Sequence, residues 1–253
     1  MYKAERPAAL AVHVHGTAGN FYGNPFVVPT AEFHLAAGRS FLTANFPGHD
    51  DTAAFEDFDD FTPALDAWLD GYAGDLPIIL QGHSLGALKI LRYLSDERAG
   101  HRDRIMELIL LAPFDAVAFY ANGEPEQAAD RLQRVKLIAP QDGHRALVPE
   151  EMFEHWPIST LTFSQIGAPG TVADQFPSRH GLNGTSLERV GLPTFVAIGG
   201  ADFAAYPNPG AAVKMADALP WVSAYEIPGA PHNFAGEVPA LLAALRDWSA
   251  AND

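Results

Sequence analysis

The chain has 253 residues, 48% hydrophobic and 19% charged, which is enough apolar material for one sizeable core and too much for a disordered chain. It contains no cysteine, and this excludes disulfides, thiol nucleophiles and thiolate metal sites. Its 31 acidic and 16 basic residues give a net charge of −15, which argues against nucleic acid or an anionic membrane as partner, because both are bound through basic surfaces.

The opening stretch MYKAERPAALAVHVHG is charged early, and its apolar run is too short and interrupted for a signal sequence. No segment approaches the roughly 20 apolar residues of a membrane helix. A soluble, cytoplasmic protein without a membrane partner is expected.

Along the chain, short apolar runs alternate with amphipathic segments, the pattern of a parallel sheet covered by helices. ALAVHVHG (Ala9–Gly16) reads as the first strand, and FVVPTAEFHLAAG (Phe26–Gly38) contains a helix closed by glycine. SFLTANFPG (Ser40–Gly48) is a second strand. FTPALDAWLDGYAG (Phe61–Gly74) is a helix, with Asp59 and Asp60 where a cap and the helix dipole favour negative charge.

LPIILQG is the third strand, LGALKILRYLSDERAG its helix, and IMELILLAP (Ile105–Pro113) the fourth strand. LPTFVAIGG (Leu192–Gly200) and WVSAYEIPG (Trp221–Gly229) make the fifth and sixth. The tail EVPALLAALRDWSA has helical spacing of Leu241, Leu242, Leu245 and Trp248.

Residues Phe114 to Gly191 interrupt this rhythm with helices expected around Pro125–Val135 and Pro149–His155. A segment this long is rarely mere connection. It reads as an inserted helical lid, residues 114–191, over a core made of residues 1–113 and 192–253.

Gly82-His83-Ser84-Leu85-Gly86 joins an apolar strand directly to a helix. A serine on such a tight turn projects its hydroxyl above the sheet edge, and glycines two residues before and after let strand and helix approach. A serine hydroxyl needs a base to become a nucleophile, and the base needs an orienting acid. His232 follows the sixth strand in GAPHNF and Asp202 follows the fifth in GGADF, so parallel strands bring both to the edge that carries Ser84. Asp115, in LAPFD after the fourth strand, is the rival acid.

An oxyanion needs two donors. Leu85 N–H stands at a helix start, and Thr17 N–H, with Ala18 in reserve, follows the flexible Gly16. His15 is expected to shape that loop. His13 and His15 alternate on a strand without an acidic third ligand, so hydrogen bonding within core or loop is expected and no metal. His83 reads as a packing residue.

HVHG with its glycine-containing loop, GHSLG, GGAD and PHNF stand in an order that resembles the α/β-hydrolase superfamily. The resemblance covers the strand rhythm of nearly the whole chain, though its specific part is those four motifs. It implies Ser84 as nucleophile, His232 as base, Asp202 as acid, and Thr17 and Leu85 as oxyanion donors. The expected fold is α/β, a mostly parallel sheet of about six strands with helices on both faces, lacking the two N-terminal strands common in the family. NFPGHDD carries His49, Asp50 and Asp51 where many members of the family have neutral or small residues; a solvated turn is the first reading, and substrate contact, with His49 as the candidate, is the alternative.

Acyl transfer through a covalent serine intermediate is the expected chemistry, with no metal or organic cofactor. Phe21 and Tyr22 of the oxyanion loop, and Phe114 and Trp156 of the insertion, are expected to line an apolar pocket for a hydrophobic ester or lactone of small to medium size. A thioesterase for carrier-bound acyl groups, and a lyase, cyclase or acyltransferase using the same residues, are the alternatives. A binding protein without turnover is a third.

Overall fold

The computed structural model describes residues 1–116, 119, 125–142, 146–149, 157–167, 170–175 and 186–252. Six strands, β1 (Leu10–Val14), β2 (Ser40–Thr43), β3 (Ile78–His83), β4 (Ile105–Leu111), β5 (Thr194–Gly199) and β6 (Val222–Ile227), form one sheet in the order β2-β1-β3-β4-β5-β6. Every neighbouring pair is parallel, as the sequence predicts. Tyr2 adds a single antiparallel bridge to Phe41 on the outer side of β2.

All residues of β1, β3 and β5 are buried, which explains why their sequences are nearly unbroken apolar runs rather than alternating ones. Alternate side chains feed two separate cores. On one face Leu10, Val12, Leu80 and Leu110 meet Leu65 and Leu69 of α2 (Phe61–Tyr72) and Leu88 and Leu91 of α3 (Leu85–Ser95). On the other, Ala11, Phe41, Ile79 and Phe195 meet Val27 and Ala31 of α1 (Val27–Ala36), together with Leu241, Leu245 and Trp248 of the C-terminal helix (Val238–Asn252).

The chain runs from β1 outward to β2 and then returns to lay β3 on the other side of β1. Loops leaving the C-terminal ends of β1 and β3 therefore diverge, and a crevice opens between them. Ser84 follows β3, and Gly16 and Thr17 follow β1.

Two local expectations change. Asp60 precedes α2 but makes no side-chain cap, because a 3₁₀ turn over Phe58–Asp60 already holds it in helical geometry. The cap falls to Asp57, which accepts from Asp59 N–H at 2.9 Å, while Asp59 pairs with Arg98 at 3.2 Å. A helix over Pro209–Asp217 adds to the elements read from the sequence; Asn208 caps it by accepting from Ala211 N–H at 3.0 Å.

Within residues 114–191 the described helices are α4 (Pro125–Asp142), α5 (Thr160–Ile166) and α6 (Ser186–Arg189). The first is longer than expected, and the helix expected at Pro149–His155 falls almost wholly outside the described residues. The α5 region is fastened to the segment after β2: Ser159 N–H donates to Ala54 O at 2.7 Å, and Thr162 Oγ1 to Glu56 O at 2.7 Å. Gln165 Oε1 accepts from Phe58 N–H at 3.0 Å. Among the described residues no helix is long and apolar enough to cross a membrane.

Among the described residues, four imidazoles lie inside this fold. His13, His15, His34 and His83 are all buried. Burial holds His34 and His83 down at about 3 and His15 at about 4, and it lowers His13 as well. The unfolded chain takes up these protons below pH 6.5 while the folded chain does not. Stability should therefore be full above pH 6.5 and fall as the pH drops toward 4, at roughly 1.4 kcal/mol per pH unit for each histidine. Urea unfolding at pH 7.5 and 5.0 should differ by roughly 3 kcal/mol or more; equal stabilities would contradict this account.

Candidate active site

β3 passes into α3 with a single residue between them, Ser84, at φ 55° and ψ −127°. Few non-glycine residues adopt a positive φ, and one is held there only where its surroundings enforce it. The enforcement is visible. A Cβ on Gly82 would lie 2.7 Å from the backbone of Ala87, and one on Gly86 would overlap the carbonyl oxygens of Val14 and His15. A Cβ on Gly16 would come within 2.7 Å of Cβ of Ser84. β1, β3 and α3 thus meet backbone to backbone beneath the serine. Ser84 N–H donates to Leu111 O at 3.0 Å, tying the turn to β4 as well.

His232, in the loop after β6, reaches Ser84 Oγ with Nε2 at 2.9 Å. Its Nδ1 is 2.8 Å from Oδ1 of Asp202, in the loop after β5. A carboxylate only accepts, so Nδ1 carries the proton and Nε2 is free to accept from the serine hydroxyl. Asp202 is 5% exposed and also accepts from Ala204 N–H at 2.8 Å. The three side chains named from the sequence form one hydrogen-bonded chain. Asp115, the rival acid, is buried in the segment after β4, and the imidazole bonds to Asp202 instead.

His83 donates from Nε2 to the carbonyl of His232 at 2.9 Å, and the two rings pack with centroids 5.0 Å apart. Burial, and then the neighbouring His232, keep its pKa low, so it stays a neutral donor. This contact anchors the loop that carries His232.

The turn after β1 sorts the two oxyanion candidates. Ala18, at φ 52°, donates its N–H to Gly48 O at 3.1 Å, so that amide is already committed. The N–H groups of Thr17 and Leu85 have no hydrogen-bond partner among the described residues. His15 braces the turn from beneath: Nδ1 donates to Gly16 O at 2.8 Å and Nε2 accepts from Phe46 N–H at 2.9 Å. Its low pKa, caused first by burial and next by the charge of Lys89, preserves that tautomer.

Above Ser84 opens a cavity of about 700 Å³. Ala18, Ala53, Ala54, Phe114, Pro157 and Phe203 make it largely apolar, while Asp50, Asp51, Asn24 and Asn233 add polar groups. No lysine or arginine is among its described lining residues. Phe203, 71% exposed at the mouth, lays its ring 5.2 Å from that of His232.

The expected substrate contacts divide. Phe114 lines the cavity. Phe21 and Tyr22 do not: they pack on each other and line a separate cleft with Tyr2, Val28 and Trp68 beside β2. The cause is a bond from Phe21 N–H to Asn45 Oδ1 at 3.1 Å, which turns the aromatic pair toward the sheet edge. His49 pairs with Asp50 at 3.1 Å and leaves the lining to Asp50 and Asp51. Trp156 lies outside the described residues.

The chain belongs to the alpha/beta hydrolase family, whose model matches residues 11–245. It is similar to the phospholipase YtpA of Bacillus subtilis, with 30% identity over 145 residues, 55% of this chain and 52% of the relative. The chain thus spans about half the length of the curated relative it matches.

Among solved structures it is similar to Est1E from Butyrivibrio proteoclasticus bound to ferulic acid, at TM-score 0.67 and 17% identity, covering 98% of this chain and 92% of that one. It is also similar to a monoacylglycerol lipase from Paleococcus ferrophilus, at TM-score 0.64 and 17% identity, covering 100% and 97%. Identities this low speak for the fold.

The elbow's packing makes a direct prediction. Gly86→Ala sets a methyl group against two backbone oxygens that cannot withdraw, so it should cost about 3 kcal/mol by chemical denaturation. Native stability in this variant would contradict the packing described.

Proposed function

We propose that the protein is a serine hydrolase that cleaves a neutral, hydrophobic carboxylic ester or lactone through an acyl-enzyme on Ser84. The observation that carries this reading is the chain Ser84 Oγ, His232 Nε2 at 2.9 Å, and His232 Nδ1 to Asp202 Oδ1 at 2.8 Å. His232 takes the hydroxyl proton as Oγ attacks the carbonyl carbon, and Asp202 stabilises the imidazolium that forms. The amides of Leu85 and Thr17 hold the oxyanion. His232 then protonates the departing alcohol, and a water activated by the same nitrogen releases the acid.

The family supports hydrolysis, and the similar proteins include a phospholipase, a monoacylglycerol lipase and a protein bound to ferulic acid. The cavity narrows the choice. Its apolar wall suits an acyl chain or an aromatic acid. Two carboxylates, with no lysine or arginine among the described lining residues, disfavour an anionic substrate, so a neutral ester fits better than a phospholipid headgroup. Residues 114–191 act in this reading as a cap over the core, with Pro157 contributing to the cavity wall. A small-molecule substrate, rather than nucleic acid or an anionic membrane, suits the net charge of −15.

Ser84→Ala should lower p-nitrophenyl ester hydrolysis by about 1,000-fold or more at unchanged melting temperature. Asp202→Asn should lose about 10,000-fold in kcat, whereas Asp115→Asn should stay within a few-fold of wild type. Substantial turnover in Ser84→Ala, or the reverse ranking of the two aspartates, contradicts the assignment. Between butyrate esters of matched alcohols, a neutral alcohol should be preferred over a phosphorylated one by about tenfold or more in kcat/KM. Equal rates would remove the charge argument.

A further inference from the structure

We propose that Lys89, paired with Glu56, is a positioning residue that sets the second oxyanion donor relative to the first. This rests on the acyl-transfer reading above. Leu85, the first donor in that reading, opens α3, and Lys89 lies four residues on, about one turn along the same helix. Its side chain is wholly buried at 0% exposure, a place where a lysine is rarely found without a partner.

Two partners meet it. Nζ forms an ion pair with the equally buried Glu56 carboxylate, and it donates to the carbonyl of Pro47 at 2.9 Å. Both belong to the segment between β2 and α2. The residue after Pro47 is Gly48, whose carbonyl accepts the Ala18 N–H at 3.1 Å, and Asp50 N–H donates to Gly19 O at 3.2 Å. Gly48 stands at φ 84°, and any Cβ there would overlap the Glu56 carboxylate.

The path is therefore short and made of named bonds. Lys89 holds Pro47; Gly48 holds Ala18; Ala18 adjoins Thr17, the second donor. One helix supplies the first amide at its N-terminus and braces the loop of the second amide from its next turn. A methionine at position 89 would fill the space but leave the Pro47 carbonyl without its donor. Oxyanion stabilisation depends on donors already standing where charge develops, so a slackened loop would cost transition-state binding more than substrate binding.

The test uses Lys89→Met/Glu56→Leu, which removes both charges and leaves no buried ion unpaired. Wild-type protein is first treated with a fluorophosphonate; failure to label Ser84 would remove the hydrolase reading itself, independently of any role for Lys89. In the double variant, corrected for active-site titre with the same reagent, kcat should fall roughly 10- to 100-fold while KM stays within about threefold. Affinity for a boronic-acid transition-state analogue should fall by the same factor as kcat. Lys89→Met alone, which fills the space but removes the donor to the Pro47 carbonyl, should show the same pattern and serves if the double variant does not fold. Unchanged kcat in either folded variant overturns the proposal. So does a kcat loss at wild-type analogue affinity, which would mark a role in general stability alone.

Discussion

The site depends on one steric constraint: three backbones converge beneath Ser84 more closely than any side chain at the contact points would allow. Gly16, Gly82 and Gly86 are the points of contact between β1, β3 and α3. Because nothing separates strand from helix, the residue between them has no room for ordinary backbone geometry and stands at φ 55°. That strain lifts its hydroxyl out of the sheet and brings it to the imidazole of His232. The cost is borne by two apolar cores that clamp the sheet from both faces.

Around this point the structure buries polar groups in fixed, neutral roles. His15 is held as the Nδ1–H tautomer by Gly16 O and Phe46 N–H, and His83 as the Nε2–H tautomer by the carbonyl of His232. Burial lowers the pKa of both, which removes the ambiguity of charge that an exposed histidine carries near neutrality. In the proposed mechanism this leaves His232 as the imidazole that changes protonation during turnover. The same burial should make the fold acid-sensitive, because the unfolded chain takes up protons that these rings refuse.

Much of this is legible in the chain. Unbroken apolar runs such as IILQGH and TFVAIG announce strands covered on both faces, and the order of Ser84, Asp202 and His232 at strand ends follows from parallel topology. The helix over Pro209–Asp217 carries a usable start signal in Asn208-Pro209, though its small, weakly patterned residues give no clear apolar stripe. The direction of Phe21 and Tyr22 is not readable, since it depends on a bond to Asn45 across the β1–β2 connection. Lys89 lies between. A lysine inside LGALKILRYL looks like the solvent face of an amphipathic helix, yet every residue from Leu85 to Leu91 is buried, and its partner Glu56 sits more than thirty residues earlier.

The most direct measurement of the central claim is rapid-quench mass spectrometry during the first turnover of a p-nitrophenyl acyl ester. The account predicts a burst of p-nitrophenol matched by one acyl group on the peptide that contains Ser84, which water then removes as turnover reaches its steady state. Hydrolysis without a burst and with no acyl adduct at any quench time, or an adduct carried by a different residue, would contradict it.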